Sequence, residues 1–247
     1  MVYRAVVTVK GLENCVVECK KNIVVEKYNK IIKNITLEQW NQIDNLIIDF
    51  FPEESEKMLE NDIREIAINV AELLVKKLID DDFDISNVCI ESPSISKIEN
   101  GKHIVSNCIT LRTIDDGAVK RQLEEETLNI NSTDDDLFLV KTLQEQNEVL
   151  KFENLYDNLK QKCGNQIKVT EKIKEKFSSR YNIKCDNENI DLEYAERNPN
   201  AKFQDDFTYL RTMISHGSSD YSEEIAKRLP RELRKIVKVI RDLEIEG

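Results

Sequence analysis

From Val2 to Val9 apolar and polar side chains alternate, the period-two pattern of an edge or half-buried strand. Asn14–Cys19 and Asn22–Tyr28 read as two further strands, joined near Lys20-Lys21. The period then lengthens. Trp40, Ile43, Leu46, Ile47 and Phe50 share one side of a helical projection, which predicts an amphipathic helix over Leu37–Phe50 capped by Thr36. Pro52 punctuates. Ile63, Ile66, Ala67, Val70, Leu74 and Leu78 predict a longer helix over Glu56–Ile79. Ser92-Pro93-Ser94 reads as a turn between strands at Asn87–Glu91 and His103–Arg112, and Asp115-Asp116-Gly117 breaks the last of them. Residues 1–120 therefore predict an α+β domain, and the polar stretch 121–133 a linker.

Beyond the linker only the helical period remains. Ser132 and Thr133 before Asp134-Asp135-Asp136 form a start signal for a helix running to about Lys162 and stopped at Gly164. Leu139, Leu143, Leu150, Leu155, Tyr156 and Leu159 form its apolar stripe. Val169–Tyr181 predicts a second helix, residues 182–203 a long loop, and Asp205-Asp206 the acidic, capped start of a third. Ser222 caps a short turn, and Pro230 opens a last helix to about Leu243. Residues 134–247 thus predict an all-α bundle of four or five helices, and the chain is helix-rich overall.

Composition narrows the class. The 247 residues are 40% hydrophobic and 34% charged with six glycines, which suits a soluble, helix-rich protein with a real core. No run of about 18 apolar residues suggests a membrane span. The alternating N-terminus is unlike a signal peptide, so a cytoplasmic location is expected. The six cysteines include no Cys-x-x-Cys pair and are expected to be free thiols rather than a zinc site, and no metal or cofactor is expected. Asp80-Asp81-Asp82 with Asp84 lacks calcium-loop spacing and reads as a solvated loop. The net charge of −11 opposes non-specific nucleic-acid binding. It is uneven: residues 1–130 hold 24 acids and 16 bases, residues 131–247 hold 23 and 20.

One short stretch carries candidate chemistry. Leu210-Arg211-Thr212-Met213-Ile214-Ser215-His216-Gly217 holds one of the two histidines, an arginine five residues before it and a glycine after it, at the end of a helix of about twelve residues. Histidine exchanges protons near neutral pH, and a guanidinium holds anionic phosphoryl oxygens. Arg-x4-His-Gly at a helix end, late in a helical C-terminal region, resembles the HEPN superfamily, in particular its prokaryotic defence-type members, over roughly residues 134–245. Family members often carry Asn, Asp or His after the arginine, where this chain has Thr212. The resemblance implies metal-independent RNA cleavage. The 2′-hydroxyl attacks the neighbouring phosphate, with Arg211 and His216 catalytic and Thr212, Ser215 and Gly217 in support. It implies antiviral defence or a toxin-like role. Its alternative is a non-catalytic HEPN-like module that binds RNA or a nucleotide or scaffolds a complex.

Residues five apart on a helix diverge by about 140°, so Arg211 and His216 should not face the same way, whereas Ser215 shares the arginine's face. Either the last turn is distorted, or two copies of the motif helix meet across a dimer axis. The resemblance favours the homodimer, and a symmetric cleft would bring two Arg211 side chains together. A basic, RNA-binding stripe is expected on the last helix, where Arg231, Arg234, Lys235, Lys238 and Arg241 project opposite Leu233, Ile236, Ile240 and Leu243. The N-terminal domain is left for a protein partner or ligand of its own.

Overall fold

In the computed structural model the alternating N-terminal segment is strand β1 (Val2–Lys10), and it lies inside a sheet rather than at its edge. The structure describes residues 2–12, 15–16, 22–40, 43–55, 57–81, 83–99, 102–105, 121–122, 127–130, 137–186, 190, 192–199, 201–216 and 222–246. Gly217, the Asp115–Gly117 break and the Ser132–Asp136 start signal fall outside them. By contacts the chain divides into two compact units, residues 1–144 and 145–247.

In the first unit, β1 is followed by β2 (Cys15–Val16), β3 (Asn22–Val25), β4 (Ile32–Trp40) and β5 (Ile43–Phe50). Then come the single turn α1 (Pro52–Ser55), the long helix α2 (Glu60–Asp80), β6 (Cys89–Ile90), β7 (Ser94–Glu99) and β8 (Lys102–Val105). Two short strands, β9 (Arg121–Gln122) and β10 (Thr127–Ile130), and the helix α3 (Phe138–Leu143) complete the unit. The main sheet is antiparallel in the order β4-β5-β1-β7-β8, with β6 also on β1. Ile35, Ile48, Ala5 and Ile95 stand in register as one buried row across four strands, with Leu37, Leu46 and Val7 in the next. Against that face packs α2, with Ile63, Ala67, Val70, Leu74 and Leu78 buried as its periodicity predicts and Ile66 half-buried. The opposite face pairs Arg4 with Asp49, Nε to Oδ1 at 2.7 Å, and Thr8 with Asn45.

The expected helix over Leu37–Phe50 is instead the β4–β5 hairpin. Leu46, Ile48 and Phe50 point inward at period two, and Ile47 on the other face is what makes the same residues mimic a helical stripe. Thr36 pairs with Ile47 in the ladder and caps nothing. Ser94, read as a turn residue, opens β7. Directly after β1 stands Gly11, whose φ is +98° and whose added Cβ would lie 2.0 Å from the Asn87 carbonyl oxygen. Gly11→Ala is expected to destabilise the first unit by about 3–5 kcal/mol, through a strained φ and a backbone clash at once. A melting temperature within a degree of wild type would show that this crossing relaxes freely.

The second unit is helical. It comprises α4 (Glu148–Cys163), α5 (Gln166–Lys172), a π-helical turn at Ile173–Phe177 and α6 (Ser178–Tyr181). After these come β11 (Cys185–Asp186), α7 (Leu192–Arg197), β12 (Gln204–Asp205), α8 (Asp206–His216) and α9 (Ser222–Glu246). The single helix expected over 134–162 is interrupted between Leu143 and Glu148, because Asn147 turns its side chain to cap α4 at the Val149 and Leu150 amides. Its first segment, α3, belongs to the first unit, so the helical unit starts at residue 145 rather than 134. The expected loop 182–203 holds a strand and a helix. The turn at Ser222 and the helix from Pro230 are one helix, α9, with Pro230 inside it. Cys89, Cys163 and Cys185 are free thiols; burial raises the Cys163 pKa and takes Cys185 up to about 12, which favours the protonated thiol in both. Among the described residues no helix is long and apolar enough to cross a membrane.

Candidate functional site

The motif helix is held from its first turn. Asp205, fully buried, accepts from the Phe207 and Thr208 amides at 2.9 and 3.1 Å through Oδ1, which makes it the N-cap of α8. Its Oδ2 accepts from the Thr170 and Thr208 hydroxyls at 2.5 and 2.7 Å. Thr208 Oγ1 in turn lies 2.9 Å from the Tyr156 hydroxyl and 3.2 Å from Thr170. One buried carboxylate thus joins α8 to α4 and α5. Burial pushes the Asp205 carboxyl above the ordinary carboxylate range, opposed by those four hydrogen bonds. Burial, with help from Asp205, keeps the Tyr156 phenol neutral.

Beyond this anchor four helices converge on a cleft of roughly 210 Å³, α5 contributing Gln166. From α8 come Arg211, Thr212 and Ser215, one helical face at offsets of one and four. Tyr156, Asp157 and Lys160 of α4 follow the same rule, and Glu153 lies one turn earlier on that stripe. The third wall is Tyr194 and Arg197 of α7 with the following Asn198. Lys160, Arg197 and Arg211 therefore bring three cations to a cleft whose own acid is Asp157.

The guanidinium of Arg211 is partly engaged. Its Nη1 donates to Ser215 Oγ and lies 3.0 Å from Glu153 Oε1, with both side chains a little over a quarter exposed. Ser215 sits on the arginine's face, as four-residue spacing predicts, and its hydroxyl donates a hydrogen bond to the Arg211 carbonyl at 2.9 Å. The Thr212 hydroxyl donates to the Thr208 carbonyl at 2.9 Å and accepts from Gln204 at 3.3 Å, so its proton is committed to the helix rather than to a ligand. α8 stays α-helical through His216, its last residue; the distorted final turn that would bring His216 round to Arg211 is not seen within these bounds.

The basic stripe is less uniform than its helical projection implies. Arg241 is buried, donating to Asp242 and to the Tyr181 hydroxyl, and Arg180 also pairs with Asp242. Arg241 therefore leaves the expected footprint, because its neighbours come from α6, which a helical wheel of α9 cannot show. Lys235 donates to the Asn182 carbonyl at 2.7 Å and lies 3.4 Å from the buried Glu232, which also pairs with Arg231. Arg231 and Arg234 are exposed and Lys238 is half-buried, while Leu233, Ile236, Ile240 and Leu243 are buried, as expected.

Sequence reading missed Lys160, Arg197 and Glu153. The polar stripe Glu153-Asp157-Lys160 at offsets of four and three was there to be found, opposite Leu155 and Leu159. Arg197 gave no such signal, since its segment has the composition of a loop. No family model, curated protein or solved structure matches the chain.

Proposed function

We propose that the C-terminal unit is a metal-independent endoribonuclease of HEPN type, acting as a cytoplasmic homodimer in antiviral defence or toxin-like RNA cleavage. One observation carries the reading: Arg211 lines a cleft together with Lys160 and Arg197, at the end of a helix whose last residue is His216. The cleft suits a phosphodiester, with guanidinium and ammonium groups facing anionic oxygens and hydroxyls beside them. In the reaction the ribose 2′-oxygen bonds to phosphorus as the bond to the 5′-oxygen breaks. His216 takes the 2′-hydroxyl proton or returns one to the departing 5′-oxygen, and Arg211 stabilises the phosphorane. The products are a 2′,3′-cyclic phosphate and a 5′-hydroxyl. The Arg211–Glu153 pair favours a second reading, a non-catalytic RNA- or nucleotide-binding or scaffolding module, because it occupies part of the guanidinium. Incubation of the purified protein with total RNA in EDTA separates the two.

The regular end of α8 supports the dimer, in which the arginine of one copy works with the histidine of the other. Mixed Arg211→Ala and His216→Ala proteins are then expected to recover cleavage that neither shows alone, to about a quarter of the wild-type rate at statistical mixing. A monomer that cleaves at nanomolar concentration would remove the shared cleft.

A further inference from the structure

Arg211 already holds an oxyanion, and that oxyanion is the chain's own. Glu153 Oε1 lies 3.0 Å from Arg211 Nη1, the nitrogen that also donates to Ser215. We propose that Glu153 is an internal competitor for the substrate's phosphate, and that it makes the cleft selective for a strand carrying consecutive phosphates over a single phosphate group. The inference rests on reading the cleft as an RNA site.

A carboxylate fixed on the neighbouring helix is present at an effective concentration of millimolar or more, so an isolated phosphate must exceed that to displace it. The isolated phosphate also meets repulsion from Glu153 and from Asp157 in the wall. A strand differs. While one phosphate engages Arg211, the next can reach Lys160 or Arg197 on the other two sides of the cleft, and each neutralised phosphate releases condensed counterions. The additional contacts overcome a competitor that one phosphate cannot.

The test uses the full chain and two ligands that cannot be cleaved: inorganic phosphate and a 2′-O-methyl hexanucleotide, titrated by calorimetry. Glu153→Gln keeps a hydrogen-bond acceptor for Arg211 and removes the charge. It is expected to bind phosphate roughly three- to ten-fold more tightly, from the loss of one like charge at close range, and the hexanucleotide tighter by a smaller factor. In an Arg211→Ala background the gain disappears. Lys160→Ala and Arg197→Ala weaken the hexanucleotide and lower the salt dependence of its binding. Unchanged or weaker phosphate binding by Glu153→Gln overturns the proposal and leaves Glu153 as a support for Arg211. A gain that persists without Arg211 overturns it as well. Neither ligand has a free 2′-hydroxyl, so these outcomes stand apart from cleavage: tighter phosphate binding with no cleavage of natural RNA would refute the nuclease and keep the competitor.

Discussion

Cleavage of RNA in EDTA is expected to fall by about 100- to 1,000-fold in Arg211→Ala, from loss of the group that meets charge on the phosphorane. In His216→Ala it is expected to fall by about 100- to 10,000-fold, from loss of proton transfer. Folding should survive the arginine change. The side chain is a little over a quarter exposed, and its partners Glu153 and Ser215 can turn to water when it is removed. Far-UV circular dichroism and gel filtration serve as the control. Single-turnover rates on a labelled RNA give the effect, and product ends give the chemistry: a 2′,3′-cyclic phosphate is expected, a 5′-phosphate is not. Undiminished cleavage by either purified variant removes that residue from the reaction, and a rate restored only by added divalent metal points to a different mechanism.

Asp205→Ala is expected to cost about 3–4 kcal/mol. It deletes the α8 cap, worth about 1 kcal/mol, and leaves the Thr170 and Thr208 hydroxyls inside the unit without their acceptor. The loss also frees the helix that carries Arg211, so activity should fall with stability. Titration supplies a separate signature. The carboxyl has a raised pKa in the folded protein and one of about 3.9 in the unfolded chain. Between the two values the folded protein keeps a proton that the unfolded chain has released. This group's contribution therefore favours folding at the acid end, declines as pH rises through that window and is level above it. Asp205→Asn keeps an acceptor for the two amides and cannot titrate. Relative to wild type it should gain stability as pH rises through the window. Urea unfolding across that range measures the difference; parallel curves for the two proteins would mean that the four hydrogen bonds fully offset the burial of the carboxylate.

The two units were legible to different depths. In the helical unit the stop of α4 at Gly164 and the span of α8 lie close to where period and caps put them, because a helix satisfies its backbone within itself and its signals sit within a turn or two. Asp205 as cap and Ser215 beside Arg211 are local facts of this kind. Arg197 joined the site only through folding, because no period within α7 says which helix it will face. Arg241 was misplaced for the same reason: its direction from α9 is a property of the sequence, but Tyr181 and Arg180 are brought to it from sixty residues away.

In the sheet unit the balance reverses. Alternation in β1 and the apolar stripe of α2 were determined by the sequence alone, since each is a repeat along one segment. Leu37–Phe50 was compatible with either period, and only tertiary structure decided between them. As strands, Ile48 sits between Ile35 and Ala5 and Leu46 between Leu37 and Val7, and those rows close the core beneath α2. The physical reason is the range of the interactions. Helical hydrogen bonds and caps join residues three or four apart and are written locally. A strand's hydrogen bonds, like a cleft's converging charges, join segments distant in the chain, and their energy exists only once the fold has brought those segments together.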